Sequence, residues 1–308
     1  MMKAMLSRAS VFVAATLACV LSLCAQAAGQ SKKVDGLEAK VRALVAESGA
    51  ETVAVAFRDL ETGRELLINP GVSFHAASTM KVPVMLELYR EARAGELSLD
   101  VRLPVRNEFK SIADGSAFSV SPEDDSEQTL YKKVGGTETV RELLRLMITE
   151  SSNLATNILI ERVTPERVMR LMRGMGARDI RVLRGVEDGK AFERGLNNTT
   201  TARDLLILLR AVAEGRAVSP DAAREMADVL AARKFNEGVP AGLPAGLRVA
   251  HKTGSITKIE HDAAIVYPPG RKPYVLVVMV RGIAEPARAH RLIADISRAV
   301  YESLSPRR

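Results

Sequence analysis

The strongest constraint on this chain is where its hydrophobic periodicity changes along its length. Strand-like runs open the sequence, helical spacing fills the middle, and strand-like runs return near the end. Thr52 to Asp59 is rich in valine and alanine and reads as a strand. Glu61-Thr62-Gly63 makes a turn, and Arg64 to Asn69 returns as a second strand. Far downstream, Leu247 to Lys252, His261 to Tyr267 and Tyr274 to Arg281 read as three more, with Pro268-Pro269-Gly270 joining the last two. Strands need partners for their backbone groups. The two ends must therefore meet in one antiparallel sheet.

The remaining pattern supplies helices to cover that sheet. Val34, Leu37, Val41 and Leu44 recur at helical spacing before the first strand. Lys81 to Ala94 is a mostly apolar helix ended by Gly95. Thr139-x-x-Glu142 is a capping box, opening a helix with Val140, Leu143, Leu144, Met147 and Ile148 on its apolar face. Thr164-Pro165 starts another, and Thr201 to Val212, Ser219 to Leu230 and Pro286 to Leu304 follow. Residues 107–135 are polar and turn-rich and read as an extended loop or hairpin excursion. The expected fold class is α/β (α+β): an antiparallel sheet from both chain ends flanked by helices, with an all-helical subdomain. The α/β part covers about 34–75 and 245–308, and the helical part about 78–235. No internal repeat or interdomain linker interrupts residues 28–308.

The first residues follow a different logic. Met1 to Arg8 carries Lys3 and Arg8 with no acid, Val11 to Leu23 is nearly all apolar, and Ala25-Gln26-Ala27 has the small-x-small form of a cleavage site. Residues 1–27 therefore read as a signal peptide, and the protein as periplasmic or secreted. Both cysteines, Cys19 and Cys24, fall inside that leader. The remaining chain of about 280 residues must rest on its core alone, and it is long enough to do so. A cysteine nucleophile and a thiolate metal site are excluded. Removing Lys3 and Arg8 takes the formal charge from +7 to +5. Basic and acidic residues are interspersed, aromatics make up 4% and tryptophan is absent, which argues against a nucleic-acid partner.

Three short motifs carry chemistry. In Ser78-Thr79-Met80-Lys81, a lysine three residues beyond a serine shares its helix face, so the amine reaches the hydroxyl. Serine needs such a partner to become a nucleophile. The apolar run Val82 to Leu86 would desolvate Lys81 and lower its pKa, as a general base requires. In Ser151-Ser152-Asn153, a hydroxyl can relay a proton and an asparagine can hold an amide. In Lys252-Thr253-Gly254-Ser255, at the end of an expected strand, the first two residues suit a carboxylate. Gly254 would let substrate backbone approach, and the N–H of Ser255 can pair with that of Ser78 as an oxyanion hole. His75, His251, His261 and His290 lack metal-ligand spacing and read as structural or solvated. The reading calls for no metal and no cofactor.

In this order and separation the motifs resemble those of the serine penicillin-recognising superfamily, and most closely class A β-lactamases and β-lactamase-related serine hydrolases. The likeness runs from the opening helix and hairpin to the final helix. It implies a β-lactamase-like fold, with Ser78 acylated, Lys81 or a water chain as its base and Ser151 as relay. Asn153 would bind the substrate amide, and Lys252 and Thr253 a carboxylate. Ser152 departs from the family's usual aspartate. The family's deacylating glutamate falls near Glu187, preceded by Arg184, although the residues after it lack the usual proline and leucine–asparagine pair. Glu193 is a second candidate, and Asn197 could stand for the loop asparagine.

The implied function is hydrolysis of β-lactam amides through a serine acyl-enzyme, giving antibiotic resistance. Two alternatives share the sequence: a hydrolase or D,D-peptidase acting on cell-wall peptides or esters with slow β-lactam deacylation, and a non-catalytic β-lactam or muropeptide sensor. The expected partner is a small-molecule β-lactam or cell-wall peptide. The chain would act as a monomer, without a membrane once its leader is cleaved.

Overall fold

The computed structural model describes residues 36–304; the leader expected at residues 1–27, and Val34, lie outside them. Helix α1 covers 36–47. It leads into strands β1 (Thr52–Asp59) and β2 (Glu65–Ile68). Strand β3 (Phe74–His75) precedes a tight 3-10 turn, Ala77–Met80, and helix α2 (Lys81–Arg93). Ser78 thus sits in that turn, one step ahead of the regular helix.

The excursion at 107–135 is a series of small elements. Strand β4 (Arg102–Pro104) comes first, then a hairpin of β5 (Phe109–Lys110) and β6 (Ala117–Phe118). Short turns at Pro122–Asp124 and Leu130–Lys133 follow, and β7 (Thr137–Thr139) returns to pair with β4. Helix α3 (Val140–Arg145) opens at the expected cap, where Thr139 accepts a bond from the Glu142 N–H at 3.1 Å. It widens into a π turn, Leu146–Glu150, that stops at Ser151.

Helix α4 (Asn153–Val163) begins directly after that stop, capped by Ser152. Residues 153–163 carry apolar side chains on nearly every face, so no amphipathic period marks them in the sequence. Helix α5 (Pro165–Gly174) has its proline in the first turn. The short α6 (Gly189–Glu193) and β8 (Thr199–Thr200) lead to α7 (Ala202–Ala213) and α8 (Pro220–Ala231). Strands β9 (Arg248–Ile256), β10 (Ile259–Tyr267) and β11 (Tyr274–Arg281) precede the closing helix α9 (Pro286–Leu304).

The main sheet has the order β2-β1-β11-β10-β9, with every neighbour antiparallel. The first strands therefore lie beside the last, as the two-ended pattern requires. Both faces of the sheet are covered. Val53, Val55, Phe57, Leu276, Val278 and Val280 point towards α1 and α9, with Val41, Ile293 and Ile296. Ala54, Ala56, Ala263, Ile265, Val275 and Val277 point towards the helical mass, with Leu205, Leu208 and Met85. Burial on both sides explains why these strands read as continuous apolar runs. Among the described residues, no helix is long and apolar enough to cross a membrane.

One strand differs in extent. The sequence ends it at Lys252, but β9 continues through Ile256 because Gly254 pairs with His261 and Ile256 with Ile259. A tight reversal at Lys258, which takes a positive φ of 60°, closes that hairpin. The third motif is consequently held inside a sheet edge rather than left beyond it.

Candidate active site

The turn before α2 is strained in a particular place. Ala77 adopts a φ of 45°, a conformation that costs a non-glycine residue free energy and persists only where its surroundings enforce it. Those surroundings are visible. The Ala77 N–H donates to His75 Nδ1 at 3.0 Å, and the Ala76 N–H donates to the Asn198 carbonyl at 2.8 Å. On the other side lies Gly254, where a Cβ would come within 3.1 Å of the Ala76 carbonyl and of Thr79 Cγ2. The glycine expected to admit substrate backbone instead admits the protein's own turn at Ala76 to Thr79. Its small size is what lets β9 press against the turn that carries Ser78.

Lys81 enters α2 fully buried. Its Nζ lies 3.0 Å from Ser78 Oγ, 2.6 Å from the Ser151 carbonyl, 3.1 Å from Ser151 Oγ and 2.9 Å from Asn153 Oδ1. Burial pulls its pKa down to about 7, and the nearby Arg233 pushes the same way, while Asp125 and Glu187 oppose it. Ser151 reaches this point because it takes a left-handed φ of 62° where the π turn ends. Its hydroxyl also accepts from Lys252 Nζ at 3.0 Å. Lys252 is fully buried, and desolvation, then Arg233 and Lys81, hold its pKa well below the usual lysine value.

The first two motifs and the lysine of the third therefore converge on one place. Thr253 lies beside them and receives a short hydrogen bond from Arg233 Nη2. Arg233 follows α8 and is itself buried, with Nη1 donating to the Ile148 carbonyl at 3.0 Å. Burial lowers even this guanidinium, to about 10. Behind it, Asp262 accepts from the Val239 N–H at 2.8 Å and pairs with His251 Nδ1 at 2.9 Å. Asp262 is the buried anion facing this cationic group, and it opposes the depression of both Arg233 and Lys252.

Glu187 also belongs to the site. A cleft of about 380 Å³ is lined by Ser78, Asn153, Glu187, Ser255 and, on its far wall, His75 and Phe192. Asn153 Nδ2 donates to Glu187 Oε1 at 3.2 Å. Burial and then Asp124 raise the Glu187 pKa, against the pull of Lys81 and Arg184. The loop that carries it is fastened from α4: Asn157 Oδ1 accepts from the Val186 N–H at 2.6 Å, and its Nδ2 donates to the Val186 carbonyl at 3.0 Å. A Cβ on Gly185 would fall 2.2 Å from Asn157 Oδ1, so only glycine permits that clamp. Glu193, by contrast, is exposed on α6 and lines no part of the cleft. Asn197 accepts from Arg184 at 3.2 Å, away from the cleft lining. Its neighbour Asn198 lines the cleft and ties Leu183 and Arg184 to the loop.

Ser255 faces the cleft, and its hydroxyl is turned to Glu260 at 2.6 Å. The other histidines are held by the protein. His261 is buried, with its pKa lowered to about 4 by burial, and His290 pairs with Glu260 at 3.0 Å. His75, expected to be structural or solvated, lines the cleft with its ring 6.1 Å from that of Phe192. Sequence reasoning also missed Arg233 and Asp125. Neither sits in a motif, and their importance comes only from what the chain brings next to them.

Comparison with known proteins shows where the whole chain has relatives. The beta-lactamase enzyme family matches residues 36–304. A β-lactamase of Streptomyces albus G is 29% identical over 280 residues, covering 89% of this chain and 86% of that protein. The solved ancestral (GNCA) class A β-lactamase is 28% identical, with a TM-score of 0.75 over 87% of this chain and all of that one. A mutant of PBP-A, solved as an acyl-enzyme complex with penicillin G, is 28% identical, with a TM-score of 0.75 over 87% of this chain and 96% of that one. A sheet closed from both chain ends, a buried lysine against a serine on a strained turn, and a sequence match spanning the described residues lead to one assignment: this chain belongs to the beta-lactamase enzyme family.

Proposed function

We propose that the protein hydrolyses β-lactam amides through an acyl-enzyme on Ser78. One observation carries the reading: buried Lys81 Nζ stands 3.0 Å from Ser78 Oγ with its pKa lowered to about 7. As a neutral amine it donates to the Ser151 carbonyl and Asn153 Oδ1, and its lone pair takes the Ser78 proton. The Ser78 oxygen attacks the lactam carbonyl, whose developing charge meets the N–H groups of Ser78 and Ser255. The Ser151 hydroxyl passes its proton to the lactam nitrogen as the ring C–N bond breaks and takes in exchange the proton that Lys81 received from Ser78, which leaves Lys81 neutral again. The charged Arg233, with Lys252 and Thr253 as further donors beside it, suits the carboxylate of the substrate.

Deacylation falls to Glu187. Its carboxylate takes a proton from water, the hydroxide attacks the ester, and that proton passes from Glu187 to the departing Ser78 oxygen as the penicilloic acid leaves. Export, as residues 1–27 suggest, would put this reaction in the periplasm or outside the cell. A chromogenic cephalosporin assay tests the function: steady turnover by wild type, lost in Ser78→Ala, is expected. Absence of turnover together with absence of any Ser78 adduct overturns it.

The likeness to PBP-A favours one second reading, a D,D-peptidase or related hydrolase that acylates on Ser78 but releases penicillin slowly. The two readings differ in the lifetime of the adduct.

A further inference from the structure

The Ser151-Ser152-Asn153 motif lacks a carboxylate, yet one occupies the space beside it. Asp125, from the 107–135 excursion, is buried against the turn where α4 begins. Its Oδ2 accepts from the N–H groups of Asn153 and Leu154, both at 2.9 Å, from the Tyr131 hydroxyl at 2.9 Å and from Ser152 Oγ at 3.4 Å. Its Oδ1 accepts from the Glu127 N–H at 3.1 Å. The first two donors are orphan amides of a helix N-terminus, which an anion satisfies and stabilises. A carboxylate that gathers so many donors around one oxygen fixes the surrounding backbone closely.

We propose that Asp125 is a positioning residue of the catalytic centre, supplying from a remote loop the carboxylate that the second motif lacks and so setting Ser151 and Asn153 against Lys81. The proposal rests on the acyl-enzyme reading above. Two of the atoms that bond Lys81 Nζ belong to Ser151, and a third to Asn153, the residue whose N–H Asp125 holds. Any shift of this turn moves the acceptors that hold the amine at the nucleophile. Asp125 also acts on Lys81 through charge. Of the groups facing that amine, Asp125 and Glu187 favour its protonated form, whereas burial and Arg233 disfavour it. Lys252, which shares the Ser151 hydroxyl, is the other amine beside it, and burial, Arg233 and Lys81 hold its own pKa down.

The local chemistry predicts a reciprocal exchange. Ser152 already caps α4, a place where aspartate serves equally well. A carboxylate moved there would accept from the Leu154 or Ala155 N–H at the same helix end, while an asparagine at 125 would turn its amide N–H towards it. Asp125→Asn alone would loosen the turn and remove a charge that raises the Lys81 pKa. That pKa should then fall, and the acid limb of the acylation profile should move to lower pH.

The test is stopped-flow acylation by a chromogenic cephalosporin across pH 5–9, with thermal unfolding measured alongside, for wild type, Asp125→Asn and Asp125→Asn/Ser152→Asp. The expected results are an acylation rate at least about tenfold lower in the single variant, with its acid limb displaced downward, and recovery of most of the rate in the double variant. If the single variant does not fold, a folded and active double variant supports the proposal, and an unfolded or inactive one overturns it. A single variant within twofold of wild type with an unmoved limb overturns it, as does a folded double variant no faster than the single. Failure of wild type itself to form a Ser78 adduct would instead defeat the acyl-enzyme reading.

Discussion

Lys81 and Lys252, 171 positions apart in the chain, direct their amines at one oxygen, the Ser151 hydroxyl, at 3.1 and 3.0 Å. Burial, with Arg233 pushing the same way, draws the Lys81 amine down to about 7, and burial likewise holds Lys252 well below the usual lysine value. Of the two, Lys81 is the one beside the Ser78 hydroxyl, at 3.0 Å. In the proposed reaction this desolvated amine is the general base.

The first consequence is a pH profile. Lys81 accepts the Ser78 proton only when neutral, so acylation should rise with pH through about 7 and level off above it. The acid limb of kcat/KM for a neutral-side-chain penicillin checks this. A profile flat from pH 5.5 to 8.5 disagrees with it.

Glu187 should separate the two halves of the reaction. Glu187→Gln is expected to acylate within a few-fold of wild type and to deacylate about 10²–10³ times more slowly, so that adduct accumulates. Because burial raises its pKa, wild-type deacylation should fail as pH drops through a value above the usual glutamate range, where the carboxylate becomes protonated. Rapid-quench mass spectrometry follows both. Equal deacylation by wild type and variant would assign the water to another group.

Arg233 should report on the carboxylate end of the substrate. Arg233→Ala removes a buried donor fork, and a charge-assisted hydrogen bond of about 1.5–3 kcal/mol corresponds to a roughly 10–100-fold rise in KM. A substrate analogue with its carboxylate esterified should lose most of that difference between the two enzymes. Equal penalties on both substrates would make Arg233 structural.

Asp262 is expected to matter for stability. It is buried between His251 and the Val239 amide, and its pKa lies below the usual aspartate value despite the burial that opposes this. A depressed pKa contributes stability above the unfolded value of 3.8, and that contribution is lost as pH falls through the folded value. Asp262→Ala should cost about 3–5 kcal/mol near neutral pH, a fall of roughly 10 °C in Tm. The gap should close in acid. A gap that widens there contradicts the assignment.

Much of this was legible in the sequence, and the exceptions have physical causes. The sheet could be read because strands buried on both faces stay apolar throughout, as Val275 to Val280 do. Ser78, Lys81, Ser151, Asn153 and Lys252 stood out through spacing that one helix turn or one strand dictates. Glu187 was placed by its distance along the chain, although nothing nearby announced that Asn157 would clamp its loop. Helix α4 was missed because its side chains are buried on most faces and carry no period. Asp125 and Arg233 were missed because each acts at a site formed by chain brought from elsewhere, and no local pattern records such a meeting. Gly254 was flagged correctly as a place of close approach, but the approaching backbone is that of the protein itself.

The central claim is that Ser78 carries the acyl group, and intact mass measured over time tests it most directly. Wild type mixed with penicillin should gain the mass of one penicillin molecule and then return to its free mass, while Ser78→Ala stays unmodified throughout. An adduct of equal mass on Ser78→Ala, or turnover by that variant at the wild-type rate, would contradict the account.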